Sequence, residues 1–220
     1  MSTPSSTPSS TPAGTVPTTV VFDLGGVLID WDPRHLYRRL LPEDEVDPFL
    51  DEIGFAAWNH AQDAGGSWDE AVDRLTARFP HHRDLISAYP ARFPETMTGP
   101  VPGTVELLRE LHARGTRLLA LTNWSAETYP HAVATFDFLS LFEDVVVSGV
   151  EGVAKPDPAV FALLVQRFGL DPAATVFVDD SPRNVHAAAA AGLHAVRFTG
   201  ADDLRRDLSR LGLLPGAGSG

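Results

Sequence analysis

Between residues 102 and 211 the chain alternates between two kinds of stretch. One is short, apolar and rich in β-branched or aromatic residues, at 117–121, 144–147, 175–178 and 195–198. The other is helical in character. Val105, Leu107, Leu108 and Leu111 precede Gly115, a helix is expected at 126–136, 158–168 ends before Gly169, 184–191 before Gly192, and a closing helix spans 202–211. Apolar strands each followed by a helix predict a parallel sheet with helices on both faces. The run Thr19-Val20-Val21-Phe22 adds one more buried strand. It delivers the carboxylate of Asp23 to its C-terminal end, and Gly25 and Gly26 follow. Open α/β sheets bind ligands at those carboxyl ends.

Residues 35–94 contain no strand-like run. Leu36, Leu40 and Leu41, then Phe49, Leu50 and Ile53, then Ala71, Val72 and Leu75 recur at helical spacing, broken at Pro42, Gly54, Gly65-Gly66 and Pro80. Such a block is too long for a simple crossover and reads as an inserted helical cap. The expected fold class is α/β, a doubly wound parallel sheet with a small helical cap. The core takes residues 18–34 and 95–213 and the cap takes 35–94. The Ser-Thr-Pro repeats of residues 1–17 carry no charge and too little apolar surface to offset ordering, and read as a disordered tail. Residues 214–220 read as a flexible tail. Asp30 and Asp32 are expected to cap the turn after the first strand, and Pro33 and residues 99–103 to flank a hinge.

Charge narrows the function. A net charge of −12 disfavours nucleic acid or an anionic membrane as partner, and it requires local positive charge for any anionic substrate. With no cysteine there is no disulfide, thiolate metal site or cysteine nucleophile. No apolar run approaches bilayer length, so a cytoplasmic protein is expected. The eight histidines show no metal-ligand spacing, and His81-His82 reads as a solvated loop.

Polar residues cluster at the expected strand ends: Asp23, Thr122-Asn123, Lys155 in a loop, and Asp179-Asp180. Singly, each has a plain alternative: a helix cap for Thr122-Asn123, a surface lysine, a helix start for the two acids. In a parallel sheet, however, all of these ends open onto one crevice. In order and spacing, Asp23-Leu24-Gly25-Gly26-Val27, Leu121-Thr122-Asn123, Lys155-Pro156 and Asp179-Asp180-Ser181-Pro182-Arg183-Asn184 resemble the haloacid dehalogenase-like superfamily, over roughly residues 20–211. The opening motif and Thr122-Asn123-Trp124-Ser125 are similar to a small-molecule phosphatase branch that includes sugar-phosphate phosphatases.

The resemblance implies a Rossmann-like core and hydrolysis of a small phosphorylated metabolite. Asp23 would attack phosphorus to form an aspartyl-phosphate. Mg²⁺ would be held by Asp23, the Gly25 carbonyl and Asp180, with Asp179 nearby. Thr122 and Asn123 would donate to phosphoryl oxygens, Lys155 would offset charge, and Asn184 would hold the acidic loop. Trp124 has the strongest claim among Trp31, Trp58, Trp68 and Trp124 to line the pocket.

One position departs from the pattern. Most phosphatases of the superfamily carry a general-acid Asp where this chain has Gly25, a group worth about 10² to 10⁴ in rate. Its loss would hurt least with an anomeric or acyl leaving group; otherwise a water or a cap residue would supply the proton, with Asp63 and His60 the cap candidates, which a solvated helix face explains equally well. A 2-haloacid dehalogenase, in which Asp23 attacks carbon, is the competing enzyme reading. A non-catalytic phosphate-binding protein is the competing reading of another class.

Overall fold

The computed structural model describes residues 16–215. The expected tails at 1–17 and 214–220 therefore lie almost wholly outside the described residues. Pro17 and Leu214, which are described, are both buried.

Five parallel strands form the main sheet: β1 (Thr19–Phe22), β4 (Arg117–Thr122), β5 (Asp144–Val147), β6 (Thr175–Asp179) and β7 (His194–Arg197). Their order is β5-β4-β1-β6-β7, so β1 is central and Phe22 stands opposite Ala120 on one side and Val178 on the other. Alternation along each strand splits the core into two layers. Val20, Phe22, Leu118, Ala120, Val176 and Val178 pack with α6 (Thr104–Ala113) and α11 (Ala201–Arg210). Val21, Leu119, Leu121 and Phe177 pack with α9 (Pro158–Phe168) and α10 (Pro182–Ala190). Burial on both faces is why these strands read as continuous apolar runs.

Between β1 and β4 the chain forms α1 (Pro33–Tyr37), α2 (Glu43–Ile53), α3 (Phe55–Asp63), α4 (Trp68–Arg78) and α5 (Arg83–Ala91). The breaks fall at the predicted Pro and Gly positions; Gly54, at φ +65°, ends α2 in the left-handed conformation that glycine adopts without strain. This block packs on aromatic rings. Tyr37–Phe49, Phe55–Tyr89 and Trp58–Trp68 each have ring centroids 4.9 Å apart in edge-to-face geometry. Trp68 is thus buried in the block's interior and Trp58 packs, half-buried, against it. Its apolar cluster is continuous with the α6/α11 layer of the main core.

Several elements differ from the sequence reading. A two-stranded antiparallel ribbon, β2 (Ile29–Trp31) with β3 (Met97–Pro100), joins the block to the sheet where a hinge was expected. Asp30 does not cap a turn: it accepts from Thr98 Oγ1 across the ribbon and lies 3.2 Å from His35 Nε2. Asp32 does cap, accepting the Arg34 N–H at the start of α1. The helix expected at 126–136 shortens to α7 (Tyr129–Thr135). Its first residues are held in a turn, with the Ser125 carbonyl accepting from Tyr129 N and Ser125 Oγ from Glu127 N. A short α8 (Ser148–Glu151) follows β5. His81 and His82 form a 3-10 turn whose imidazoles reach the Glu52 carboxylate. No helix among the described residues is long and apolar enough to cross a membrane.

Candidate active site

The C-terminal ends of β1, β4 and β6 meet at one point. Asp23 follows β1 directly, its N–H donating to the Val178 carbonyl at 2.8 Å, so its carboxylate stands between the ends of β4 and β6. The Leu24 N–H donates to Asp23 Oδ1 at 2.7 Å and Lys155 Nζ approaches Oδ2 at 2.9 Å. Lys155 is fully buried, and its three N–H bonds have three acceptors: Asp23 Oδ2, Asp179 Oδ2 at 2.7 Å and the Leu121 carbonyl at 2.8 Å. Its backbone is gripped at two points by Asn123, which accepts from Lys155 N and donates to Lys155 O, each at 2.8 Å. The Lys155–Pro156 peptide is cis.

Asp179, also fully buried, takes hydrogen bonds from Lys155 Nζ, Ser181 N and Asn184 Nδ2, which leaves it saturated. Asp180 is more open and faces the crevice beside Gly26. Gly26 has φ +75°, a conformation that glycine adopts without strain, and a Cβ there would meet Asp180 Oδ2 at 2.8 Å and displace that carboxylate. Carboxylate oxygens of Asp23, Asp179 and Asp180 lie within 4.8 Å of one another.

Three carboxylates against one ammonium leave this corner short of positive charge. Burial pushes the Asp23 carboxyl up to about 7, with Lys155 opposing and Asp179 adding to the rise. Asp180 is raised by burial and by Asp179. Burial alone would lower Lys155, but its two carboxylate partners outweigh it and hold the ammonium charged. All-oxygen donors with a charge deficit suit a hard divalent cation.

Above the cluster lies a cavity of about 280 Å³. Asp23, Gly25, Gly26, Asn123 and Asp180 line it from the sheet side, with Trp31, Phe93 and Trp124 as aromatic walls. Asn59 and Asp63 of α3 close it from the helical block. Asn59 Nδ2 donates to Asp63 Oδ2 at 2.8 Å, and the Tyr89 hydroxyl donates to Asn59 Oδ1 at 3.0 Å. Burial pushes Asp63 up to about 7, against the Ser125 N–H and the Lys155 charge. The Ser148 hydroxyl donates to the Asp63 backbone carbonyl, tying the end of α3 to the core.

Asp23, Asp179, Asp180, Lys155 and Asn123 are therefore brought together, with Gly25 and Trp124 beside them. Thr122 is not brought into the cavity: it ends β4, buried and paired with Val147. Asn123 lines the cavity while its amide grips the Lys155 backbone, which engages its oxygen and one of its two N–H bonds and leaves the second N–H to donate. Trp31 and Asp63 reach the cavity, whereas Trp58, Trp68 and His60 do not. Sequence reasoning missed Asn59 and Phe93. Asn59 could have been found as the i−4 neighbour of Asp63 on one helix face.

A family model for haloacid dehalogenase-like hydrolases matches residues 17–192. A phosphoglycolate phosphatase of Rhodospirillum rubrum is 32% identical over 206 residues, covering 82% of this chain and 79% of that protein. Acyl-CoA dehydrogenase family member 10 of mouse is 25% identical over 211 residues, covering 87% of this chain; the chain spans only 19% of that longer protein. Among solved structures, a HAD family enzyme of Bacteroides thetaiotaomicron in complex with magnesium and inorganic phosphate superimposes with a TM-score of 0.63 at 22% identity. The match covers 84% of this chain and 95% of that one.

Proposed function

The chain belongs to the haloacid dehalogenase-like hydrolase family, and on that premise we propose that it is a phosphatase acting on a small phosphorylated metabolite through an aspartyl-phosphate at Asp23. The observation that carries the proposal is the placement of Asp23. It is fixed at the end of the central strand, paired to buried Lys155, and opens with Asp180 onto a cavity of small-molecule size. The phosphoglycolate phosphatase likeness, and the magnesium and phosphate named for the similar fold, support the same reading.

In this reading Asp23 attacks phosphorus in line with the leaving oxygen, and water then releases phosphate from the acyl-phosphate. Lys155 orients the nucleophile and balances charge on Asp23 and the incoming phosphoryl group. Asn123 and Asp179 act as positioning residues, holding the Lys155 backbone and ammonium respectively. Asp23, Asp180 and the Gly25 carbonyl would hold Mg²⁺, with Asp179 behind them. Bound there, the ion supplies the positive charge that lets a phosphate approach an acidic pocket and keeps Asp23 ionised. The helical block of residues 35–94 serves as the cap that covers the substrate. A sugar phosphate is the specific candidate, since aromatic walls with Asn59 and Asp63 suit a hydroxylated ring.

The experiment is phosphate release from a panel of phosphomonoesters and acyl phosphates, with Mg²⁺ and with chelator, for wild type and Asp23→Asn. Chelator-sensitive release that vanishes in Asp23→Asn is expected. No release from any member, with turnover of 2-haloacids instead, would point to attack on carbon.

A further inference from the structure

With Gly25 in place of an acid, the residues beside the nucleophile offer no group that can protonate a leaving oxygen, and Lys155 has all three protons engaged. Resting on the phosphatase reading, we propose that Asp63, carried on α3 of the helical block, is the general acid and base of this enzyme. Three observations converge on it. It is the one carboxyl that the helical block contributes to the cavity above Asp23, so a substrate seated on Asp23 has its leaving group toward α3. Its direction is fixed, because the chain Tyr89–Asn59–Asp63 holds the carboxyl from behind and Ser148 holds its backbone. Burial also keeps its proton near neutral pH, as a general acid requires. The charged and titratable groups around it are Lys155, the phenol of Tyr89, and Asp23 and Asp180 across the cavity; the Ser125 N–H is its other neighbour.

The step balances. Asp23 forms a bond to phosphorus as the phosphorus–oxygen ester bond breaks, and the Asp63 proton passes to the departing oxygen, releasing a neutral alcohol. The resulting Asp63 carboxylate takes a proton from water as that water attacks the acyl-phosphate. The phosphorus–oxygen bond to Asp23 then breaks, which frees phosphate and restores both carboxyls. The acid thus sits on the covering block, so full proton transfer requires the block to be closed over the substrate.

The test compares kcat/KM of wild type and Asp63→Asn on phosphomonoesters whose leaving groups run from alkyl alcohols to p-nitrophenol, with Mg²⁺ present. Asp63→Asn is expected to lose about 10²- to 10⁴-fold on alkyl esters and under about 10-fold on p-nitrophenyl phosphate, whose anion departs without a proton. A loss of equal size across the series, or no loss, overturns the proposal. If Asp63→Asn fails to fold, wild-type pH profiles decide. Activity on alkyl esters should fall as Asp63 loses its proton, with no such limb for p-nitrophenyl phosphate, and identical limbs overturn the proposal. Should wild type release phosphate from no member, it is the phosphatase reading itself that has failed.

Discussion

Lys155 shows why a buried charge at this position is tolerated. Its ammonium is desolvated, yet every proton has an acceptor and two of the three are carboxylates. Removing one member of such a cluster strands the others, a loss of about 3 to 5 kcal/mol. Lys155→Met should therefore abolish turnover and lower unfolding free energy by about that amount in urea titrations. Asp63 gives a pH prediction of known sign. Its folded pKa, about 7, exceeds the ordinary 3.8, so the folded chain binds that proton more tightly than the unfolded chain does. The contribution is complete below about pH 4 and is lost as pH rises through 7. Asp63→Asn should flatten that part of the stability–pH curve, measured by denaturation between pH 5 and 8; an unchanged slope would contradict the burial ascribed to it. The meeting of Asp23, Asp179 and Asp180 was legible in the sequence because each ends a strand or follows one, whereas Lys155 lies in a loop beyond α8 and was legible only through the motif resemblance. The burial of Thr122 and the grip of Asn123 on the Lys155 backbone were not legible, because side-chain direction at a strand end depends on what packs above it.

Among the elements, the loop after β1 is constrained at Gly26. Gly26→Ala would force a left-handed residue and drive a methyl into Asp180. The expected result is a more than 10-fold rise in the Mg²⁺ concentration needed for half-maximal activity, with global stability reduced by about 1 kcal/mol or more. Helix boundaries at Gly54, Gly169 and Gly192 could be read from sequence because glycine terminates helices for local reasons. The β2–β3 ribbon could not. Its strands are short, far apart in the chain, and contain Gly99 and Pro100, residues that lower strand propensity. The shortened α7 was hidden for a similar reason: the Ser125 turn depends on side-chain bonds, and its neighbour Gly149 packs against the backbone of residues 124–126.

For the molecule as a whole, charge and shape set what can enter. Among the described residues, the cavity lining contains three carboxylates, two amides, three aromatic rings and two glycines, but no Lys, Arg or His. A leaving group with its own carboxylate would enter a lining of three carboxyl groups with no basic side chain among the lining residues to pair with it. Although a phosphoglycolate phosphatase is among the relatives, this chain should turn over phosphoglycolate at least about 10-fold less efficiently than a neutral ester of similar size, about 1.4 kcal/mol of discrimination. Comparing kcat/KM for the two tests this, and a preference for phosphoglycolate would contradict it. The α/β architecture was readable because its period repeats along the chain. The cavity was not, because it forms between segments that are remote in sequence. The most direct measurement is mass spectrometry of the Asp23 peptide after acid quench during turnover of a phosphomonoester with Mg²⁺. A phosphoryl group on Asp23, absent in Asp23→Asn and lost when the substrate is exhausted before the quench, is the predicted result. Steady phosphate release with no adduct on Asp23, and with Asp23→Asn still active, would contradict the account.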